Sequence, residues 1–268
     1  MRAAREHLPG IRLQAWARRE EVREQLRADE SAIDLVCGEI NEAVSGADLV
    51  ILAMPTGFMA EVVSSIDDRV LHESSLVTDV GSVKGAVMDD VAPLVVAKGG
   101  TFFGSHPMAG SEKKGLDFAE KDLFQGATVI LTPYEGAESS TDSESRLTRF
   151  WESLGGRVFV RDAETHDRIV AAISHLPHLV AAALARSVLS DSPEAAPFSG
   201  GGFRDTTRVA GGPEEMWSGI LADNHAAVSQ RLGKLIQDLE IWKEALDTLD
   251  RDQLRGFLSE ARELREAL

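Results

Sequence analysis

The sequence predicts an α/β fold in which an open, mostly parallel sheet occupies residues 1–161 and an all-helical C-terminal domain occupies residues 162–268. Three observations carry that reading. Short β-rich runs alternate with helical patterns through the first half, as βα units around a parallel sheet require. Several runs are apolar throughout, such as Leu49-Val50-Ile51-Leu52-Ala53, which suits strands covered on both faces. After Glu164 the hydrophobic period becomes helical and no strand pattern returns.

Strands are expected at residues 12–15, 48–53, 75–79, 100–104, 128–132 and 157–160. Helices are expected between them at 19–27, 57–65, 83–96 and 143–154, the last behind a Ser- and Thr-rich stretch able to cap it. The acidic, serine-rich segment 135–144 reads as a solvated loop. Further on, helices are expected at 164–189, at 213–249 with room for a break, and at 251–267. A Gly-rich insertion, Ser199-Gly200-Gly201-Gly202-Phe203, separates the first two. The apolar stretch 169–189 is interrupted by His175, Pro177, His178 and Arg186, which favours buried helices over a membrane span.

A chain of 268 residues is long enough to bury a core and to form two domains. The formal charge of −16 argues against nucleic acid or anionic lipid as the main partner, since both reward clustered Lys and Arg. A small soluble substrate fits better. The one cysteine, Cys37, cannot form an internal disulfide and reads as a small core residue. Residues 1–30 carry charges throughout and no apolar signal core, so a cytoplasmic location is expected.

A Rossmann-like sheet opens with a strand, a G-x-G-x-x-G turn at a helix N-terminus, the helix, and a second strand. The glycine fingerprint is absent from this sequence. Residues 1–7 read as the end of the first helix, Pro9-Gly10 as its turn and 11–15 as the second strand, which places the first strand and phosphate loop upstream of Met1. A start assigned too late, a naturally shortened protein and a sheet that never bound a dinucleotide all remain open. At the end of the second strand, an acid would hold a ribose 2′-hydroxyl or an arginine would accept a 2′-phosphate. Trp16-Ala17-Arg18-Arg19 stands there, and Arg18 and Arg19 favour NADP over NAD.

Open α/β sheets bind ligands outside the carboxyl ends of their strands. The loops there contain Ala53-Met54-Pro55, Asp79-Val80-Gly81-Ser82-Val83-Lys84-Gly85 and Gly104-Ser105-His106-Pro107. Ala53, Met54, Pro55, Asp79 and Ser82 are therefore the expected cofactor-side residues. The second loop lacks the spacing of a phosphate-binding P-loop, and its small residues suit close approach to a nicotinamide ring. His106, framed by Gly104 and Pro107 on an expected short turn, can take a proton near neutral pH, or it only satisfies a backbone carbonyl. Ser82 can hydrogen-bond the imidazole and fix its tautomer.

In the helical half, His175 and His178 are three apart and share a helix face that Pro177 should kink. They serve either substrate contact, mostly through His178, or structural polar contacts. A zinc site would need further ligands and the only cysteine is remote, so no metal is expected. In Gly200-Gly201-Gly202-Phe203-Arg204-Asp205-Thr206-Thr207-Arg208 the glycines let the backbone approach a ligand, and Arg208 can grip a carboxylate by paired hydrogen bonds. Asp205 either orients that guanidinium or caps the following helix.

Taken together, residues 79–85, 104–112, 174–178 and 201–208 resemble, in order and spacing, the prephenate/arogenate dehydrogenase family of tyrosine biosynthesis, over nearly the whole chain. The resemblance implies that His106 accepts the ring hydroxyl proton while hydride leaves the same ring carbon for the nicotinamide of NAD or NADP. Loss of the ring carboxylate as CO2 then makes the product aromatic. It also implies that Ser82 positions His106 and the nicotinamide side, and that Arg208 binds a substrate carboxylate. Glu112, beside Ser111, and His178 would line the pocket near the substrate side chain, with His178 inclining the choice toward prephenate over arogenate. A homodimer through the helical domain is implied. The helical end leaves no length for a fused chorismate mutase or regulatory ACT domain, which places any feedback control at the active site. Two rivals remain: a β-hydroxyacid dehydrogenase, for which Lys84 is the wrong kind of site, and a shortened chain that keeps the substrate pocket without dehydrogenase activity.

Overall fold

The computed structural model describes residues 1–29, 32–110, 118–135 and 140–268. Its strands form two sheets. β1 (Gln14–Ala15) and β2 (Leu35–Val36) pair in parallel by themselves. β3 (Leu49–Leu52), β4 (Leu76–Asp79), β5 (Thr101–Met108), β6 (Thr128–Pro133) and β7 (Arg157–Val160) follow one another across the second sheet. Only β5 and β6 run antiparallel; the other neighbours are parallel. The doubly wound order sets its first strand between the counterparts of β1 and β3, and no strand among the described residues stands there.

Helices cover both faces of the larger sheet, because successive side chains on a strand point to opposite sides. On one face Leu52, Val77 and Phe102 pack against α4 (Met59–Ser64), α5 (Gly85–Asp90) and α6 (Ala92–Ala97) through Met59, Val63, Val87 and Val95. On the other, Leu76, Phe103, Val129 and Leu131 meet Ala3 and Ala4 of α1 (Arg2–His7) and Leu147 and Trp151 of α7 (Ser140–Ser153). β4, the strand between β3 and β5, is buried along its whole length. Around the smaller sheet stand α2 (Glu20–Ala28) and α3 (Ile40–Val44). The run beginning at β2 is only two residues of strand and escaped the sequence reading, and Cys37 just beyond it is buried.

One expectation is corrected here. His106 lies on a strand, not on a short turn. β5 pairs with β4 only through Thr101 and Phe102, then continues to Met108 paired with β6, which sets His106 opposite Ile130. Pro107 is tolerated because β4 no longer claims a backbone donor from that part of β5.

After β7 every regular element is helical. α8 (Ala163–Val170), a π-helical turn (Ala171–His175) and α9 (Leu176–Asp191) form a continuous run that by length and composition alone is apolar enough to cross a membrane. The π turn takes up the distortion that Pro177 imposes: the ring lacks an N–H and crowds the carbonyl four residues back. The Gly-rich insertion is corrected too, since it becomes α10 (Gly201–Thr207), leading into a 3-10 turn (Arg208–Gly211). Helical spacing of Phe203 and Thr207, both half-buried, outweighs the helix cost of two glycines. α11 (Glu214–Asp223) breaks from α12 (His225–Asp247) at Asn224, and α13 (Arg251–Glu266) closes the chain. α12 and α13 leave Ile236, Leu239, Ile241, Leu246, Leu258 and Leu264 exposed.

Candidate active site

The site grows from the carboxyl end of β4. Asp79, the last residue of that strand, is wholly buried. Its carboxylate receives the Lys84 ammonium as an ion pair and accepts the N–H of Gly81 at 2.7 Å and of Ser105 at 3.3 Å. Lys84 is equally buried. Buried charges need such partners, so residues 80–84 wrap around one carboxylate and approach β5. Asp79 was expected beside a cofactor, but its side chain is committed to the loop and reaches a ligand only through the loop's shape.

His106 meets the helical half. Its Nδ1 lies 2.8 Å from His166 Nε2, and His166 Nδ1 lies 2.7 Å from Asp167 Oδ1. The Asp167 carboxylate also accepts the backbone N–H groups of Lys84 and Gly85, each at 2.8 Å. His106 is 8% exposed and His166 not at all. Burial holds the His106 pKa well below the ordinary histidine range, and the fields of His166, Lys84 and His175 push the same way. The ring is neutral at pH 7. Its hydrogen-bond partner is thus His166 and not Ser82, which is half-buried and makes no hydrogen bond to the imidazole.

A second histidine pair stands beside the first. The Asn224 amide donates to the Asp167 carbonyl at 2.8 Å and lies 3.1 Å from His175 Nδ1. Because the Asp167 carbonyl fixes which end of the amide is the donor, His175 Nδ1 accepts and the ring proton sits on Nε2. That nitrogen is buried with no partner among the described residues. Burial, opposed by the Asp167 charge, brings the His175 pKa down to about 4. His178 stacks on Trp217 with ring centroids 3.5 Å apart and planes 11° from parallel. The stack needs Gly212, where an added Cβ would lie 2.4 Å from Trp217 Nε1 and 2.9 Å from His178 Cε1.

Ala53, Met54 and Pro55 follow β3, with Ala53 and Pro55 exposed. Thr56, next in the chain, donates to Asp223 Oδ2 of α11 at 2.5 Å, tying this loop to the helical half. A Cβ on Gly81 would meet Asp79 Oδ2 and Thr56 Cγ2 at 2.9 Å each. The loops after β3 and β4 thus pack closely, Thr56 against the bare backbone of Gly81, beside Ser82. Arg18 and Arg19 are exposed after β1; Arg18 is 3.3 Å from Glu61, and Arg19 precedes α2. Arg208 is exposed at the start of the turn leading to Gly212. Asp205 lies within α10, and the residue preceding the next turn is Thr207, so the capping alternative falls away. Ser111 and Glu112 lie outside the described residues. Among the described residues no cluster of three His, Cys, Asp or Glu side chains is placed to hold a metal ion.

The sequence reading missed His166, Asp167, Trp217 and Asn224. Neighbours at i and i+1 on a helix point about 100° apart, so His166-Asp167 carried no spacing signal. Asn224 sat within a longer helical pattern.

Residues 10–160 match the nucleotide-binding domain of prephenate dehydrogenase, and residues 162–260 match its dimerization domain. The chain is 33% identical to the cyclohexadienyl dehydrogenase of Zymomonas mobilis, across 100% of this chain and 90% of that protein. It is 31% identical to the prephenate dehydrogenase of Bacillus subtilis over 84% of this chain, and spans 61% of that protein's length. Among solved structures, the prephenate dehydrogenase of A. aeolicus in complex with hydroxyphenyl propionate and NAD+ superposes with a TM-score of 0.88 at 30% identity, covering 98% of this chain and 91% of that one.

Replacing Lys84 by Met leaves Asp79 buried without its counter-charge, and the expected cost is about 3–5 kcal/mol, read from urea unfolding at pH 7. A loss below about 1 kcal/mol would show that the backbone donors alone hold the loop.

Proposed function

The chain belongs to the prephenate/arogenate dehydrogenase family, and from that premise we propose that it catalyses the oxidative decarboxylation of prephenate to 4-hydroxyphenylpyruvate. One observation carries the reading: a neutral, nearly buried imidazole, His106, beside the loop at the carboxyl end of the parallel strand β4. His106 takes the ring hydroxyl proton as a general base. NAD(P)+, when bound, supplies the hydride acceptor. As the ring carboxylate leaves as CO2, its bonding electrons make the ring aromatic, and the proton held by His106 returns to the phenolic oxygen.

Other groups bind and orient. Residues 1–161 hold the cofactor, with Ala53, Met54, Pro55 and Ser82 on the nicotinamide side and the loop shaped by Asp79. Arg18 and Arg19, in the absence of an acid at this place, favour NADP over NAD. Residues 162–268 hold the substrate: Arg208, with Asp205 one turn earlier, takes a carboxylate, while Ser111, Glu112 and His178 border the side chain. His178 favours prephenate over arogenate. No metal takes part. The exposed apolar residues of α12 and α13 form a homodimer contact, supported by the match to a dimerization domain. The proposed location is cytoplasmic. A second reading is a chain that holds substrate without reducing a dinucleotide.

The deciding experiment follows nicotinamide reduction with prephenate and with arogenate, each offered NAD+ and NADP+. Turnover is expected and its rates rank both pairs; a folded protein that binds prephenate without turnover would establish the second reading.

Exchange of His106 for Asn should lower kcat by about 10²–10⁴-fold at nearly constant substrate affinity. The base must be unprotonated and its pKa is depressed, so kcat/KM should stay level from pH 7 through the ordinary histidine range and fall only in more acidic solution. An acid limb centred near pH 6.5 would show that His106 is not the titrating base.

Arg208→Ala removes a charge-assisted bond of about 1.5–3 kcal/mol, for which KM for prephenate should rise roughly tenfold to a hundredfold. An unaltered KM would assign the carboxylate to another group.

A further inference from the structure

Behind His106 stand two buried side chains that the proposed reaction does not touch, His166 and Asp167. We propose that Asp167, acting through His166, fixes the tautomer of His106 so that its Nε2 lone pair faces the reacting hydroxyl, and stabilises the positive charge that His106 gains. This rests on the reading that His106 is the base of the reaction.

A carboxylate only accepts hydrogen bonds, so the 2.7 Å contact places a proton on His166 Nδ1. In a neutral ring the other nitrogen then carries a lone pair, so His166 Nε2 accepts across 2.8 Å from His106. His106 is therefore protonated on Nδ1 and bare on Nε2. No protein group among the described residues meets that Nε2. A protonated His166 would reverse the second bond, moving the His106 proton to Nε2 and abolishing the base.

Each packed element presents its charges to this pair. The loop after β4 brings Lys84, already matched by Asp79. The π turn brings His175, kept neutral by burial, with the Asn224 amide donating to its Nδ1. From α8 come His166 and Asp167. Asp167 is held from behind by the N–H groups of Lys84 and Gly85 and borders a cavity of about 530 Å3 lined by Glu164, Arg168, Asp223 and His225. The carboxylate thus faces solvent on one side and a dry imidazole pair on the other. When the substrate O–H bond breaks and the His106 Nε2–H bond forms, His106 keeps Nδ1–H donated to His166. The new positive charge lies on a ring whose hydrogen-bond chain ends in an anion. The logic is that of a carboxylate that orients a catalytic histidine without itself taking the proton, here with a second imidazole between them. His166 and Asp167 are positioning residues: neither reaches the open side of His106.

Nitrogen-15 NMR of the histidine-labelled intact protein at pH 7 reads the tautomer directly, without any substrate. The proposal expects His106 protonated at Nδ1 and bare at Nε2, and the opposite pattern overturns it. Steady-state kinetics of His166→Leu and His166→Gln supply the second arm. Loss of the acceptor in His166→Leu should lower kcat at least about 100-fold with KM for substrate and cofactor within about twofold. Gln can accept from His106 and donate to Asp167 as the neutral His166 does, so His166→Gln should recover at least about tenfold of that loss. Wild-type kcat in His166→Leu overturns the proposal. If the Leu variant does not fold, a folded His166→Gln that loses kcat at least about 100-fold overturns the neutral-relay role, and the spectrum decides the tautomer. An unaltered protein inactive on both prephenate and arogenate would overturn the assigned reaction instead, with the NMR pattern still deciding the tautomer.

Discussion

The carboxylate of Asp167 is the joint on which the site depends. It accepts two backbone donors from the start of α5 and one ring donor from His166, while its own carbonyl accepts from Asn224. One residue at the head of the helical half thereby sets the position of the loop after β4, the histidine behind the base and the helix break at Asn224. The loop side is equally determined, because the buried Asp79–Lys84 pair leaves residues 80–84 little freedom. Charges with such low exposure hold their geometry strictly, since any displacement leaves one of them unpaired in a low dielectric.

That geometry shows how the proposed base, His106, fits in so dry a pocket. Burial and the fields of His166, Lys84 and His175 all oppose a proton on His106, which keeps the resting ring neutral and available. The same burial would make a poor acceptor if nothing offset the charge formed during reaction. In the proposed mechanism the hydrogen-bond chain from His106 to Asp167 supplies that offset without exposing the ring. His175 is kept neutral by the same leading cause, desolvation, with an amide donor on its Nδ1.

Much of the fold was legible in local pattern. The continuous apolar run Leu49 to Ala53 marked β3, and the change of period marked where strands end and helices begin. The two-residue strand β2 escaped because so short a run carries no alternation to count. Gly200 to Phe203 read as a loop by composition, yet packing of Phe203 and Thr207 made the segment helical. In the site, His106 stood out because glycine and proline frame it, and His175 and His178 because their spacing repeats a helix face. His166 did not, since its contact with the adjacent Asp167 depends on how both side chains are bent toward the loop after β4. Ser82 was read as the imidazole's partner because it ends a neighbouring strand. The helical half, packing from above, delivered His166 to that nitrogen instead.

Sequence alone determined the α/β order, the helical second half, the family resemblance and the presence of a histidine able to act as base, because each is written in local periodicity or in motif spacing. Only the tertiary structure decided that His106 sits on a strand, that Asp79 faces inward to Lys84, and that two imidazoles and a carboxylate form a chain. Those outcomes join residues as far apart as 60 and 83 positions. Their cause is the desolvation of charged groups at the meeting of the sheet and the helices, a condition no local stretch of the chain contains.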